Sequence, residues 1–288
     1  MASMRDIKRR RGSIQSTQQI TKAMKLVSTV KLQHARAEAE KSKSYFDCMY
    51  ETVSNILSRV GDIEHPYLTP GNAKKKAVIV ITSNRGLAGG YNSNVVKLIT
   101  RHEGFEKEDL KIFAIGNKGR EALLRNGYEI AEDLSYLAEA PAFRSAMELS
   151  ERLLQLFCEG EIGEIYLAYT SFKNTVSHVP TLLRLLPVDR DHHDNKDQES
   201  GTNALMNFEP EDEEALNMVI PKYITSLIYG ALKEAIASEN GARMQAMDNA
   251  TSNAEEMISD LTLKYNRARQ GSITQELTEI IAGAEAIS

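Results

Sequence analysis

The sequence predicts an α/β protein in which a small central Rossmann-like α/β domain is combined with a long antiparallel two-helix coiled coil, formed by the N- and C-terminal helices. Two observations predict this fold class: both terminal segments carry apolar residues at heptad-like steps with very few Pro or Gly, and the middle alternates short apolar runs with helical stretches. The predicted segments are an N-terminal coiled-coil helix at 1–62, a linker at 63–76, the α/β domain at 77–208 with a polar loop at 189–203, and a C-terminal coiled-coil helix at 209–288.

The first helix is predicted from an uninterrupted stretch between Met4 and Val60 that lacks Pro and contains one glycine, Gly12. Its apolar residues form a narrow seam that suits a coiled coil better than a globular face. A helix of roughly 57 residues is about 85 Å long at 1.5 Å per residue. The seam comprises Ile7, Ile14, Ile20, Met24 and Val27, followed by a denser stripe at Phe46, Met49, Val53, Ile56, Leu57 and Val60.

The middle of the chain alternates predicted strands and helices over about 115 residues, which implies a mostly parallel sheet. AVIVIT is a continuous apolar run, as expected of a strand buried on both faces. The last two strands are close enough in sequence to pair antiparallel. The predicted strands are 77–82, 111–116, 164–170 and 179–188, and the predicted helices are 92–102, 117–127 and 142–157.

The second long helix is predicted from about residue 213 to residue 287, roughly 75 residues, with Pro221 as a kink or as the start of the helix. It is longer than the first helix by about 18 residues, on the order of 27 Å, so its unpartnered end begins near Gln270. The last nine residues contain only two polar side chains, Glu285 and Ser288. We expect another protein to cover this tip, either as a socket in which the helix reorients or as a static groove.

The charge is distributed unevenly along the chain. Residues 1–43 carry eleven Lys and Arg against three Asp and Glu, a net charge of +8, whereas residues 189–214 carry ten Asp and Glu against two basic residues, a net charge of −8. The basic end is expected to meet acidic partners.

No apolar run approaches the roughly 18 residues of a membrane span, and the N-terminus lacks the apolar core of a secretory signal. Cys48 and Cys158 are predicted to be buried thiols in a reducing cytoplasm.

Four other functional hypotheses find little support in the residues. The loop RGLAGGYN follows a strand and opens a helix, as phosphate-binding loops do, but it matches neither nucleotide-binding glycine pattern. The basic KRRR segment lacks the interleaved aromatic residues of a nucleic-acid-binding module. His192 and His193 among Asp189, Asp191 and Asp194 are adjacent on a flexible loop, which is poor metal-ligand geometry. No nucleophile motif or acid–base pair indicates an enzyme, and no cofactor is predicted.

The motifs resemble those of the γ subunits of F-type ATP synthases, of the bacterial type. MRDIKRR…STQQITKAMKLVSTVKLQHA resembles the N-terminus of that family, and SENGARMQAMDNATSNAEEMISDLTLKYNRARQGSITQELTEI resembles its C-terminal helix; SNRGLAGGYNSNV, IGNKGRE and YTSFKNTVSHVPTLLRLLP match between them. The resemblance covers almost the whole chain in order. The sequence departs from the family pattern at RRRGSI and at Asn84, Ala88 and Gly271. Gly12 and Gly271 leave the local stiffness of both helices open.

The resemblance implies a non-catalytic central rotor shaft that couples rotation of the membrane c-ring, driven by proton or sodium flow, to conformational changes at the β catalytic sites. Its partners would be the hexameric ring of α and β subunits, the ε subunit and the c-ring, with no nucleic acid. Membrane association would be indirect, on the cytoplasmic face of the bacterial cell membrane. A coiled-coil scaffold with a binding head is the alternative.

The resemblance also implies three sets of contact residues. The contacts with β are Met24, Lys25, Arg243, Arg269, Gln270, Thr274 and Glu276. The apolar tip inside the α/β sleeve comprises Ile273, Leu277, Ile280, Ile281, Ala284 and Ile287. The contacts with ε or the c-ring at the base are Arg85, Gly86, Leu87, Gly89, Gly90, Tyr91 and Asn92.

Overall fold

The computed structural model describes residues 4–57, 65–71, 73–188 and 212–285. Most of the predicted linker lies inside these ranges. The polar loop at 189–203, with its two histidines, and Ile287 of the tip lie outside them. The elements in chain order are α1 (Met4–Leu57), β1 (Lys76–Ile81), α2 (Tyr91–Thr100), a 3₁₀ turn (Lys107–Asp109), β2 (Leu110–Ile115), α3 (Asn117–Arg125), β3 (Ile130–Asp133), a 3₁₀ turn (Ser135–Ala138), α4 (Phe143–Cys158), β4 (Glu164–Phe172), β5 (His178–Leu186) and α5 (Asp212–Glu285).

The predicted fold class is confirmed: two long terminal helices enclose a central α/β segment in sequence. Helix α1 has 54 residues and α5 has 74, and both run without interruption through Gly12 and Gly271. Pro221 lies inside α5, so the helix begins before it. Among the described residues, no helix has the length and apolar character needed to cross a bilayer.

The sheet has the strand order β3-β2-β1-β4-β5. Strands β1, β2, β3 and β4 pair in parallel, and β5 pairs antiparallel with β4, as the short connection between them predicted. Strand β3 was not predicted from the sequence. Its residues alternate between half-buried and exposed, because it lies at the edge of the sheet and has no continuous apolar run.

The sheet is covered on both faces, which explains why β1 is apolar throughout. Alternate β1 residues point to opposite faces: Ile79 packs with α4, α5 and the end of α1, whereas Val80 packs with α2 and α3. Val53 and Ile56 place the end of α1 in the first of these two cores.

Cys48 and Cys158 are both exposed, so their predicted burial was wrong. Both lie at the outer surface of helices whose core positions are filled by other apolar residues.

The chain divides into two compact units, residues 30–242 and residues 1–29 with 243–288. In the second unit α1 and α5 pair side by side, and four contacts define their register: Gln18 with Glu255, Thr21 with Thr251, Lys25 with Asp248, and Arg11 with Tyr265. The residue numbers of these pairs add up to between 272 and 276, a nearly constant value that requires antiparallel helices. In this register Met4 lies level with residues 268–272. The coiled-coil unit therefore has an overhang of α5 that begins near Gln270, as predicted.

Helix α5 packs closely against the β4–β5 hairpin within the larger unit. A β-carbon on Gly241 would overlap Nε2 of His178, so only glycine allows this approach. Ser238 Oγ donates to the Thr170 carbonyl at 3.1 Å, and the Phe172 amide donates to Glu234 at 3.3 Å. His178 Nε2 is buried and has no hydrogen-bond partner, and burial lowers the pKa of this imidazole below its ordinary value of 6.5.

The two glycines Gly12 and Gly116 should respond oppositely to substitution by alanine. Nothing lies within 4 Å of a β-carbon built on Gly12, so Gly12→Ala should stabilise the coiled-coil unit by about 0.5–1 kcal/mol. Gly116 has φ +101°, and a β-carbon there would overlap the Thr82 carbonyl, so Gly116→Ala should destabilise the α/β unit by more than about 1 kcal/mol. Hydrogen exchange resolved by unit measures both effects. If both variants changed stability in the same direction, this account of Gly12 in α1 and of Gly116 between β2 and α3 would be wrong.

The stability of the α/β unit should fall on acidification because of His178. Its folded-state pKa lies below the unfolded value, so the unfolded chain binds the proton first. The stability contribution is complete above about pH 6.5 and is lost as the pH falls below that value. A His178→Gln variant should lose less stability in this window than the natural chain, measured by hydrogen exchange of β5 at a series of pH values. An identical pH dependence in both chains would show that His178 is not the group involved.

Candidate protein interaction surfaces

The residues predicted to contact β near the start of the coiled coil are partly engaged within the chain. Lys25 Nζ forms an ion pair with Asp248 Oδ1 at 2.5 Å, and the two side chains remain 38% and 53% exposed. Met24 and Arg243 are half-buried. The Lys25 side chain therefore has an intramolecular partner, and a contact with another subunit would have to share it.

A band of positive charge surrounds the coiled coil just before the overhang. Residues 4–11 carry five Lys and Arg against Asp6, and residues 262–271 add three basic residues with no acidic one. Arg269 and Gln270 are exposed at the end of this band. Arg11 lies over the Tyr265 ring, 5.4 Å from its centroid, and Arg9 pairs with Asp6 at 3.3 Å. Lys264 pairs with Asp260 of its own helix at 2.7 Å, and Arg267 and Arg269 are exposed on the same stretch of α5.

The overhang is exposed from Ile273 to Ala284. Every residue from Ile273 to Ala284 is exposed, including the large apolar side chains of Ile273 (49%), Leu277 (54%), Ile280 (67%) and Ile281 (59%). A monomeric soluble protein does not normally leave such a continuous apolar surface in water. The described tip therefore has no cover from its own chain.

The apolar side chains of the overhang lie on one side of the helix. At 100° per residue, Ile273, Leu277, Ile280, Ile281 and Ala284 fall within a stripe about 100° wide. The opposite side is polar: Gln275 donates to Glu279 at 2.9 Å, and Thr278 donates to the Thr274 carbonyl at 2.8 Å. The polar side chains of Gln275, Thr278 and Glu279 therefore face away from the apolar stripe. This tip presents different chemistry in different directions.

The loop between β1 and α2 is held by its own polar side chains. Asn92 accepts hydrogen bonds from the amide and hydroxyl of Ser83 at 2.9 and 3.1 Å. Asn84 donates to the Ser135 carbonyl at 3.0 Å and accepts from the Asn117 amide at 3.0 Å. The loop is thereby fixed to α3 and to the segment after β3.

This fixed loop presents one apolar side chain to solvent. Leu87 has φ +62°, a left-handed conformation that costs a non-glycine residue energy, and its side chain is 63% exposed. Arg85, Gly86, Gly89 and Gly90 are also exposed. Strained residues persist where the surrounding structure determines them, and here the hydrogen-bonded loop holds Leu87 with its side chain in solvent.

Tyr91 and Asn92, which were predicted to contact a partner at the base, lie on the inner side of the loop. Tyr91 is buried, and its hydroxyl donates to the Ala235 carbonyl of α5 at 3.2 Å. Asn92 is half-buried and bonded to Ser83. These two side chains support the loop, and only its outer residues can touch a partner.

The first four backbone amides of α3, which lie beside this loop, all donate hydrogen bonds within the chain. The amides of Asn117, Lys118, Gly119 and Arg120 donate to the Asn84 side chain, the Ser83 carbonyl, the Thr82 hydroxyl and the Gly116 carbonyl, respectively. Between Thr82, Tyr91 and α5 there is a cavity of only about 10 Å³, enough for one water molecule. The amides at the start of α3 are therefore occupied within the chain, and this cavity is too small for a nucleotide.

A larger groove lies at the opposite end of the sheet. Its volume is about 450 Å³, and it is open and lined by mixed charges. Lys76 forms an ion pair with Glu164 at 2.7 Å, and this hydrogen bond raises the pKa of Lys76. Within the described ranges, no group of three His, Cys, Asp or Glu residues is arranged to hold a metal ion. The lining is Pro70, Gly71, Ala73, Lys74, Lys76, Glu103, Gly104, Glu106, Asp109 and Glu164.

Sequence reasoning missed the polar contacts that join the two long helices. Ile7, Ile14, Thr21 and Ser28 are spaced seven residues apart, so the heptad pattern contains a signal that the seam turns polar at Thr21. The partner of each residue, in contrast, depends on the register between two helices more than 200 residues apart in the chain. That register is visible only in the structure.

Comparisons with known proteins agree on one family. A family model described as ATP synthase matches residues 3–287. The chain is 64% identical, over 292 residues and 100% of both chains, to the ATP synthase gamma chain of Lachnoclostridium phytofermentans. It is 39% identical, over 99% of both chains, to the sodium-ion-specific ATP synthase gamma chain of Acetobacterium woodii. A chain of the Euglena gracilis mitochondrial ATP synthase (OSCP, F1 and c-ring, rotational state 3) superposes with a TM-score of 0.67 at 19% identity, over 99% of this chain and 94% of that chain.

Proposed function

The chain belongs to the family of γ subunits of F-type ATP synthases, and from this premise we propose how its surfaces transmit rotation. It is the central rotor shaft of the enzyme and a non-catalytic subunit, since catalysis in this family takes place in the β subunits. Its partners are the α and β subunits, the ε subunit and the c-ring, and it is part of the membrane-associated complex. We place it on the cytoplasmic face of a bacterial cell membrane.

The observation that carries the proposal is the one-sided overhang of α5. A rotor can drive a chemical cycle only if it gives each conformation of β a different interaction free energy. Residues 273–284 present an apolar stripe on one side and Gln275, Thr278 and Glu279 on the other. As the shaft turns inside a sleeve of α and β subunits, each subunit therefore meets apolar and polar surface in succession. The apolar stripe of the tip comprises Ile273, Leu277, Ile280, Ile281 and Ala284, with Ile287 predicted to extend it.

The contacts with β are proposed to lie on the basic band and just beyond it. Arg269 and Gln270 are exposed where the overhang begins, and Thr274 and Glu276 follow them on exposed turns. Ion pairs between exposed groups contribute about 0–1 kcal/mol each. Such pairs attract acidic loops of β and are weak enough to break at every step of rotation. Met24, Lys25 and Arg243 would add contacts at the other end of the coiled-coil unit.

The loop after β1 is proposed to contact ε or the c-ring through its outer residues. Leu87 is the anchor, because it is exposed, apolar and held at positive φ by a loop fixed through Asn84 and Asn92. Arg85 and Gly86 flank it on the same exposed surface. No nucleotide is needed in this proposal, since the amides at the start of α3 already have partners within the chain.

Replacing the apolar stripe of the tip by polar residues should weaken the complex while leaving the chain folded. Each buried Ile or Leu contributes about 1.5–3 kcal/mol, so changing Ile273, Leu277, Ile280 and Ile281 to Gln should speed dissociation from α and β by well over tenfold. The measurement is the dissociation rate together with ATP hydrolysis after reassembly. The control changes Gln275, Thr278 and Glu279 to Ala on the opposite side. Reassembly and hydrolysis unaffected by the stripe variant would contradict a sheathed tip.

A photoreactive label on Leu87→Cys should cross-link to ε or c in the assembled enzyme. The label is placed in a Cys48→Ser and Cys158→Ser background, because both natural cysteines are exposed. The matched control is Leu124→Cys on α3, which is exposed at 53% but lies outside the loop. Cross-linking several-fold above the control, identified by mass spectrometry, supports the proposed base contact. A label that reacts with β instead would assign the loop to the catalytic ring and overturn it.

A further inference from the structure

The seam of the coiled-coil unit is poor in large apolar side chains. Three of the six buried residues described in this unit carry hydroxyl groups and one is alanine. Coiled coils normally fix their register by inserting large apolar side chains into holes on the facing helix. Small and polar seam residues discriminate weakly between one register and another shifted by a turn. The six are Thr21, Ser28, Met247, Thr251, Ala254 and Leu261.

Three polar contacts cross this seam within little more than two turns of α1. Gln18 Nε2 donates to Glu255 Oε1 at 3.0 Å, the hydroxyls of Thr21 and Thr251 lie 2.8 Å apart, and Lys25 Nζ contacts Asp248 Oδ1 at 2.5 Å. The pair in the middle is buried and the two flanking pairs are at the edge of the seam. All three pairs have residue numbers that add up to 272 or 273, so they specify the same register.

The buried threonine pair can satisfy both of its protons. Thr251 Oγ1 lies 2.7 Å from the Met247 carbonyl, whereas Thr21 Oγ1 lies 3.1 Å from the Gln18 carbonyl. The shorter distance assigns the Thr251 proton to its own helix. Thr251 then accepts the proton of Thr21 across the seam. A chain of two hydrogen bonds therefore connects Thr21 through Thr251 to the backbone of α5.

We propose that these three pairs form a register clamp that prevents α1 and α5 from sliding along each other. A slip of three residues would place Thr21 opposite Ala254 and Lys25 opposite Thr251, and all three cross-helix contacts would be lost. It would also move Arg269 and the apolar tip of α5 by about 4.5 Å relative to α1. The consequence for the rotor rests on the proposed function: the clamp sets the height at which Arg269 and the tip meet the surrounding subunits.

The test measures register directly in the full-length chain, without any other subunit. Spin labels on Gln15→Cys and Arg267→Cys, both exposed, report a distance that changes when the helices slide. The background again carries Cys48→Ser and Cys158→Ser. The natural clamp should give a single distance. A variant with Thr21→Val, Thr251→Val and Lys25→Asp should add a second distance component shifted by several ångströms, with at least about a tenth of the population.

A charge swap separates register from general loss of stability. Adding Asp248→Lys to that variant restores an ion pair of opposite polarity and should suppress the second component, although it adds a further substitution. The matched control combines Ser28→Ala with Lys264→Met and Asp260→Asn, which removes a buried hydroxyl and an ion pair that lies within α5. It should keep the single distance.

Three results would overturn the clamp: a single distance in the first variant, no rescue by the charge swap, or a second component in the control. If α1 and α5 no longer pair in the first variant, two milder variants are compared instead. Lys25→Asp alone should show the second distance component, and Lys25→Asp combined with Asp248→Lys should not. Because the measurement needs no α, β or c subunit, a negative result leaves the proposed function intact. Failure of the proposed function in reassembly would equally leave the register result unchanged.

Discussion

The constraint on which the structure depends is the unequal length of two paired helices. Helix α5 continues past the level of Met4, and from Ile273 to Ala284 its residues have no cover from their own chain. Helices in water are stabilised mainly by packing of an apolar face, and here that face is exposed. A chain with this feature is incomplete alone. In the proposed function, the ring of α and β subunits supplies the missing surface, and the one-sided distribution of apolar side chains makes that contact depend on the angle of rotation.

The α/β unit uses the backbone amides at the start of α3 for hydrogen bonds within its own chain. In doubly wound sheets, ligands bind beyond the carboxyl ends of the strands, often at a helix N-terminus. Here the amides at the start of α3 donate to Thr82, Ser83, Asn84 and the backbone, and Tyr91 closes the remaining space against α5. The same hydrogen bonds that occupy the site also stiffen the loop around Leu87. A rotor base benefits from a rigid loop because a flexible one would absorb part of the twist.

Much of the fold follows from composition and periodicity. AVIVIT is a continuous apolar run of the kind expected in a strand buried on both faces, and the near absence of Gly and Pro at both ends predicted two long helices and their difference in length. Strand β3 escaped prediction because an edge strand of four residues needs no apolar run. The exposure of Cys48 and Cys158 and the burial of Tyr91 depend on neighbours that come from distant parts of the chain. The apolar stripe on the tip can be predicted by projecting residues 273–284 onto a helix. The pairing of Thr21 with Thr251 cannot be predicted in this way, because it depends on the register between α1 and α5.

The most direct test of the central claim is hydrogen exchange of the amides in residues 273–284, compared between the isolated chain and the complete ATP synthase. An exposed helix end without tertiary contacts opens readily, whereas one enclosed by other subunits opens rarely. The account predicts rapid exchange in the isolated chain and exchange slowed by at least about a hundredfold in the enzyme, a difference of roughly 2.7 kcal/mol. Equally rapid exchange in the assembled enzyme would contradict it, because the tip would then be uncovered in the only setting where it works.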